Sequence, residues 1–150
     1  MTIQQLESRV LLASFASVNA GGTLSVVGTS KADRIEVITS ATSVSAKRDN
    51  ETMSFAISKV KRIWMNGFGG DDKLINSTLL PSTLLGEAGN DTIRGGSGAD
   101  RLDGGEGWDQ VSYSGFGDMR AAIQLDAITG ESTGWSKVGN ISDQLSRFEG

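Results

Sequence analysis

Cysteine and histidine are both absent from this chain, and each absence closes off a class of chemistry. Without Cys there is no disulfide framework and no thiolate metal site. Without His the commonest general base and the commonest transition-metal ligand are gone. Neither a Ser-His-Asp triad nor an H-E-x-x-H zinc motif can therefore be written. Apolar residues make up only 37% of the 150 residues and Pro occurs once, which argues against a large compact core. No apolar run is long enough to span a bilayer. The glycine-rich stretch lacks G-K-[ST], so it is no phosphate loop, and no G-x-S-x-G elbow occurs. Carboxylates abound, but a glycosidase pair needs a sugar cleft, which a thin repeat turn does not offer. The composition reads as that of a protein that is not an enzyme.

What is present is glycine and acid, and both are concentrated. Thirteen of the 20 glycines fall within residues 67–118. The same stretch carries a local net charge of −6, against +3 for residues 1–66 and −1 for residues 119–150, within an overall −4. An acidic, glycine-rich middle argues against nucleic acid as a partner and for cations. The basic group Lys59, Lys61 and Arg62 beside Trp64 reads as a solvated strand face.

The middle is built of repeats. Residues 86–94 (GEAGNDTIR), 95–103 (GGSGADRLD) and 104–112 (GGEGWDQVS) are contiguous nine-residue units. Each has Gly first and fourth, Asp sixth and an apolar residue eighth, namely Ile93, Leu102 and Val111. Residues 67–75 (GFGGDDKLI) form a further copy with Phe68 in the second glycine position. Residues 28–36 (GTSKADRIE) keep Gly28, Asp33 and Ile35 but lose the inner glycines, and Asp33 is not counted as a ligand on this reading. Residues 76–82, with Pro81, occupy the place of another repeat that has degenerated. Around the repeats the text is strand-like, in short alternating pieces at 23–27, 34–38, 43–46, 54–57, 62–65, 83–85 and 122–125. Residues 47–51 read as an exposed turn.

The repeat has a mechanical reading. Glycine permits positive φ and close backbone approach, so the first six residues can turn with carbonyls inward, and the last three make a short strand. Two units complete a coil of 18 residues, so aspartates 18 apart stack, as Asp91 and Asp109 do. Asp100 falls on the opposite edge, where Asp118 lies 18 residues on, after a stretch without the glycine spacing. Asp72 precedes Asp91 by 19 residues, one insertion from register. Stacked carboxylates repel unless a cation lies between them. Oxygen donors without nitrogen or sulfur suit a hard cation, calcium before magnesium.

Residues 67–112 resemble the hemolysin-type calcium-binding (RTX) repeat of exported bacterial proteins, whose pattern is G-G-x-G-x-D-x-U-x. The resemblance implies an all-β fold, a right-handed parallel β-roll or β-solenoid with nonapeptide calcium-binding turns, which folds after export. It implies Ca2+ held by the carboxylates of Asp72, Asp91, Asp100 and Asp109, with Asp118 as a further candidate. It also implies carbonyl ligands from three loops: Gly86, Ala88 and Gly89; Gly95, Ser97 and Gly98; Gly104, Glu106 and Gly107. The side chains of Asp103 and Glu106 read as solvated. Phe68 and Glu87, in glycine positions, put the turn at Asp72 in question. Trp108 reads as a surface or end-packing residue, and Trp135 and Phe148 as a cap over the last coil.

Residues 6–12 (LESRVLL) are similar to the L-E-P-R-x-L-L motif near the start of large exported proteins, with Ser8 in place of Pro. Alternatively, the run from Val10 to Val18 before Val18-Asn19-Ala20 has the outline of a cleavable leader, or of a short apolar strand or helix. The organisation expected is an export-like segment at 1–20, irregular β coils at 21–66, the calcium-binding β-roll at 67–118 and a C-terminal β flank or cap at 119–150. The function expected is a calcium-folded structural or interaction module of a secreted protein, with an extracellular protein or polysaccharide as the partner class. The alternative is an accessory domain of a larger secreted enzyme or adhesin.

Overall fold

The structure, a computed structural model, describes residues 14–112 in full and the backbone of 119–125, 132–138 and 141–146. Within these residues it is all-β, the sole helical turn being a 3-10 turn at Ile57–Lys59. The strands are β1 (Ala16–Val18), β2 (Thr23–Val27), β3 (Arg34–Thr39), β4 (Ser43–Arg48), β5 (Glu51–Ala56), β6 (Arg62–Gly69) and β7 (Lys73–Ser77). They continue as β8 (Ser82–Ala88), β9 (Thr92–Arg94), β10 (Asp100–Glu106), β11 (Gln110–Val111), β12 (Met119–Leu125), β13 (Ser132–Val138) and β14 (Ile141–Ser146). No helix among the described residues is long and apolar enough to cross a membrane.

Two sheets divide the strands. One has the order β1-β2-β6-β8-β10-β14-β13-β12, the other β11-β9-β7-β3-β4-β5. From β6 to β11 the chain alternates between the sheets, and each strand lies parallel to its neighbour one coil away. The flanks differ. β1 pairs antiparallel with β2, β3-β4-β5 form an antiparallel meander, and β14-β13-β12 do the same at the other end of the first sheet. The sheets are thus mixed, not parallel throughout. The meander is possible because residues 49 and 50 close a two-residue turn in which Asp49 takes φ +50, a conformation Asp tolerates. The exposed turn expected at 47–51 narrows to these two residues, because β4 runs through Arg48 and β5 starts at Glu51.

Register explains the core. Val26, Met65, Leu84 and Leu102 lie side by side on the inner face of the first sheet, and all four are fully buried. On the second sheet the ladder is Ile35, Leu74, Ile93 and Val111. These four are the eighth residues of their nonapeptides, so the repeat's apolar position supplies one row of the core. Burying each such side chain stabilises by about 1.5–3 kcal/mol.

One expectation changes. The first six residues of a nonapeptide do not all turn on this edge. β6, β8 and β10 continue through Gly69, Ala88 and Glu106, so the first three residues extend a strand. The reversal is left to residues 70–72, 89–91 and 107–109, where Gly70, Gly89 and Gly107 have φ of +98, +137 and +133. The reason is backbone pairing between coils, since Gly70 N–H donates to Ala88 O and Gly89 N–H to Glu106 O, both at 2.9 Å.

Candidate metal centre

Four turns stack along one edge of the molecule: residues 28–33, 67–72, 86–91 and 104–109. Their sixth-position carboxylates, Asp33, Asp72, Asp91 and Asp109, are all buried. Each is tied to the next. The amides of Asp33, Asp72 and Asp91 donate to Oδ1 of Asp72, Asp91 and Asp109 respectively, each at 2.8 Å. Sequence separations of 39, 19 and 18 residues converge on one geometry, because the additional chain is taken up by β4, β5 and the turns beyond. The insertion between Asp72 and Asp91 therefore leaves the register intact.

The second carboxylate oxygen makes the site. Oδ2 of Asp72 and Oδ2 of Asp91 are buried and receive no hydrogen bond, and Oδ2 of Asp100 and of Asp109 are buried as well. The turns of Asp72, Asp91 and Asp100 fold this oxygen back against their own first glycine. A Cβ on Gly67 would collide with Asp72 Oδ2, and one on Gly86 would collide with Asp91 Oδ2 and with the Gly104 carbonyl oxygen of the next coil. Only glycine leaves this cradle open. Burial pushes the Asp72 carboxyl up to about 7, with the charges of Asp91, Asp33 and Asp71 adding to it and the Asp33 amide opposing. Asp91 is pushed up to about 6 by burial, with Asp109 and Asp71 adding and the Asp72 amide opposing.

The opposite edge carries a second, shorter column. Asp100 Oδ1 accepts the Ser82 amide at 2.9 Å and the Ser82 hydroxyl at 2.6 Å, across 18 residues. A Cβ on Gly95 would come within 2.7 Å of Asp100 Oδ2, the same cradle again. The degenerate stretch before Ser82 still completes a coil. There the Asn76 and Thr78 side chains hydrogen-bond the backbone at Thr78 and Leu80, and Ser97 N–H donates to Thr78 O at 3.0 Å.

The expected ligands are distributed as follows. Asp72, Asp91 and Asp109 are brought into one column, and Asp100 into the other. Gly86 and Gly104 present their carbonyls to the α-carbons of Gly67 and Gly86. The Ala88 and Glu106 carbonyls take part in the pairing between coils, while the Glu106 side chain is exposed. Gly89 and Gly107 form the reversals, and Gly95, Ser97 and Gly98 the loop before Asp100. Asp103 is corrected: it is buried, with Arg101 Nη2 3.9 Å from its Oδ2, because it falls inside β10 and not in a turn. Asp33, not counted as a ligand, proves to belong to the column. Its signal was the retained Gly28, Asp33 and Ile35, outweighed by the missing inner glycines. Phe68 and Glu87 adopt the glycine-like φ of +74 and +78, so the turn at Asp72 forms despite them. Trp108 is 68% exposed. Asp118, the motif at 6–12, residues 10–13 of the leader-like run, Phe148 and the Trp135 side chain lie outside the described residues, while the end of that run forms β1.

No group of three or more Asp, Glu, His or Cys side chains gathers at one point among the described residues. A cation here would therefore share carboxylates between successive turns and take its other ligands from carbonyl oxygens. All of these donors are oxygen, the set that suits calcium. Residues 83–119 match the family model of the RTX calcium-binding nonapeptide repeat (4 copies). The chain carries RTX repeats. The family binds Ca2+, and the donor set built from residues 86–109 fits that ion. Asp33 and Asp72 lie outside the matched RTX stretch, yet they continue its carboxylate column. No curated protein and no solved structure matches the chain.

Proposed function

We propose that residues 67–112 form a calcium-folded β-roll, acting as a non-catalytic structural or interaction module of an exported protein. The observation that carries this reading is the pair of buried oxygens, Asp72 Oδ2 and Asp91 Oδ2, which receive no hydrogen bond. Leaving a buried carboxylate oxygen unmatched is costly, and a cation between the turns removes that cost. When bound, calcium supplies positive charge that neutralises a column of like charges. The chain's own contribution is to hold Oδ1 of each Asp on a backbone amide, so that Oδ2 is aimed at the cradle. Strands that alternate between two sheets support the roll, with the right-handed crossover that parallel strands favour.

Thirteen glycines in residues 67–118 make the unfolded repeats rich in conformations. Ion binding to the folded geometry alone then becomes folding energy. Such a module stays open where calcium is scarce and closes where it is abundant, which suits export. The composition, without His or Cys, supports a non-catalytic role.

The test is a calcium titration of the chelator-treated chain followed by far-UV circular dichroism, with magnesium in parallel. A saturable gain of β signal with calcium and a weaker one with magnesium are expected. A spectrum indifferent to calcium would overturn the reading.

A further inference from the structure

The two edges of the molecule change character at the same level of the stack. On the first edge, Asp33 Oδ2 accepts the Thr29 amide at 2.6 Å and the Thr29 hydroxyl at 2.8 Å. In the next turns the second residue is Phe68 or Glu87, and Oδ2 of Asp72 and Asp91 receives nothing. On the second edge, the register position of Asp100 is held by Ser82 one coil earlier, by Ile63 before that, and by Leu24 in the first coil. Leu24 and Ile63 are buried apolar side chains. Among the described residues, the early coils thus have no buried carboxylate oxygen in need of a cation on either edge.

The core is skewed in the same direction. Among the described residues, eleven of the fifteen side chains in the buried hydrophobic cluster precede residue 67. The early strands also carry closures of their own, such as the Arg48 guanidinium 4.9 Å above the Phe15 ring and donating to Val27 O.

We propose that Thr29 stands where the repeat turns hold calcium, so that residues 14–66 fold without the ion and form the platform on which the repeats assemble. This rests on the calcium reading of the repeats given above. The platform presents β3 and β6 as paired edges for β7 and β8, and the Asp33 amide as the first anchor, for Asp72 Oδ1. Assembly then runs from the Thr29–Asp33 turn toward Asp109, each Asp amide positioning the next carboxylate. Thr29 is a positioning residue that decides where the ion array begins.

The experiment is amide hydrogen exchange of the full chain in chelator and in excess calcium, with Thr29→Val and Asp91→Asn beside the parent. In chelator the amides of β2, β3 and β4 are expected to stay protected while those of β9, β10 and β11 exchange freely. Thr29→Val should speed exchange of the β2 and β3 amides in chelator by roughly tenfold, through loss of the hydroxyl's bonds to Asp33 Oδ2 and from the Lys31 amide, and change calcium affinity by less than about twofold. Asp91→Asn should do the reverse, weakening calcium binding and leaving β2–β4 protection in chelator unchanged. Loss of protection in both regions together in chelator, restored by calcium, would overturn the platform and leave the calcium reading standing. Protection of both regions regardless of calcium would overturn both. A calcium affinity that falls as much with Thr29→Val as with Asp91→Asn would show the first turn to be an ion site and overturn the role given to Thr29.

Discussion

Residues 14–66 and residues 67–112 extend the same two sheets by different means. In the first region long strands bury Leu24, Val26, Ile35, Val37, Val44 and Ala46 completely, and its column carboxylate Asp33 is satisfied by Thr29. In the second region β8 and β10 keep seven residues, but the strands of the second sheet shorten to three and two residues, in β9 and β11. A coil there buries little more than Leu84 and Ile93, or Leu102 and the half-buried Val111. What the repeats lose in apolar burial they replace with glycine turns pressed against one another around buried carboxylates. A solenoid coil can therefore be held by its core or by its edge, and this chain uses both in succession.

The largest effect should come from filling a cradle. In Gly86→Ala the new Cβ meets Asp91 Oδ2 and the Gly104 carbonyl, one a ligand candidate and the other rigid backbone. A loss of about 3 kcal/mol or more in the calcium-bound form is expected, at the upper end of overpacking. Gly21→Ala in the first region meets only Asn19 Oδ1, at 3.3 Å, and should cost less than about 1 kcal/mol. Denaturant unfolding of the two variants in calcium checks the contrast, and equal losses would erase it.

Next comes charge. Asp91→Asn should lower calcium affinity by more than roughly tenfold, since even outer-shell changes at metal sites reach that size. Asp33→Asn, which disturbs a turn closed by Thr29, should leave affinity within about threefold and instead lower stability in chelator by about 1 kcal/mol. Isothermal titration and thermal unfolding separate the two. A comparable loss of affinity in both variants would place Asp33 among the ion ligands.

These contrasts also mark what was legible in the sequence. The eighth-position residues Ile93 and Leu102 and the stacking of Asp91 on Asp109 followed from nine-residue spacing, because a fixed period leaves a fixed register. Asp33 was missed because its turn keeps only the glycine that the stack requires, Gly28, whose Cβ would collide with the Gly67 carbonyl. It replaces the others, since a turn closed by Thr29 has no need of them. Asp103 was misread because strand and turn cannot be told apart within a glycine-rich unit until the pairing of β8 with β10 is known. The antiparallel meander β3-β4-β5 was legible only as irregular β coils within residues 21–66, because alternation marks strands but not their partners.

Protons should discriminate the regions as well. In the folded, calcium-free turns Asp72 titrates at about 7 and Asp91 at about 6, both raised from 3.8. Between these limits the folded state binds more protons than the unfolded chain, so the stability of the calcium-free repeats falls as pH rises from about 4 to about 7. Calcium competes with the same protons, so its affinity should rise across that window. Protection factors of the β9 and β10 amides in chelator, with the intrinsic pH dependence of exchange divided out, should be higher at acidic than at neutral pH. The opposite trend would mean that the carboxylates are not buried as charged groups.

The smallest effect concerns backbone strain. Phe68 takes φ +74 with its ring half exposed, in the second position of a turn that the repeat pattern gives to glycine. A bulky residue in the left-handed region costs about 1–2 kcal/mol relative to glycine, while Gly in an unfolded chain gives back part of that through greater freedom. Phe68→Gly should therefore stabilise the calcium-bound protein modestly, by about 0.5–1 kcal/mol, without shifting calcium affinity by more than about twofold. Glu87, at φ +78, is the internal control. It accepts a hydrogen bond from Asn66 Nδ2 at 3.2 Å, so Glu87→Gly relieves similar strain but loses that contact and should come out close to neutral. Denaturant midpoints of the two variants in saturating calcium measure the difference. If Phe68→Gly is destabilising, the exposed ring makes a contribution that outweighs the strain, and the turn at Asp72 is held by its side chains as well as by its glycines.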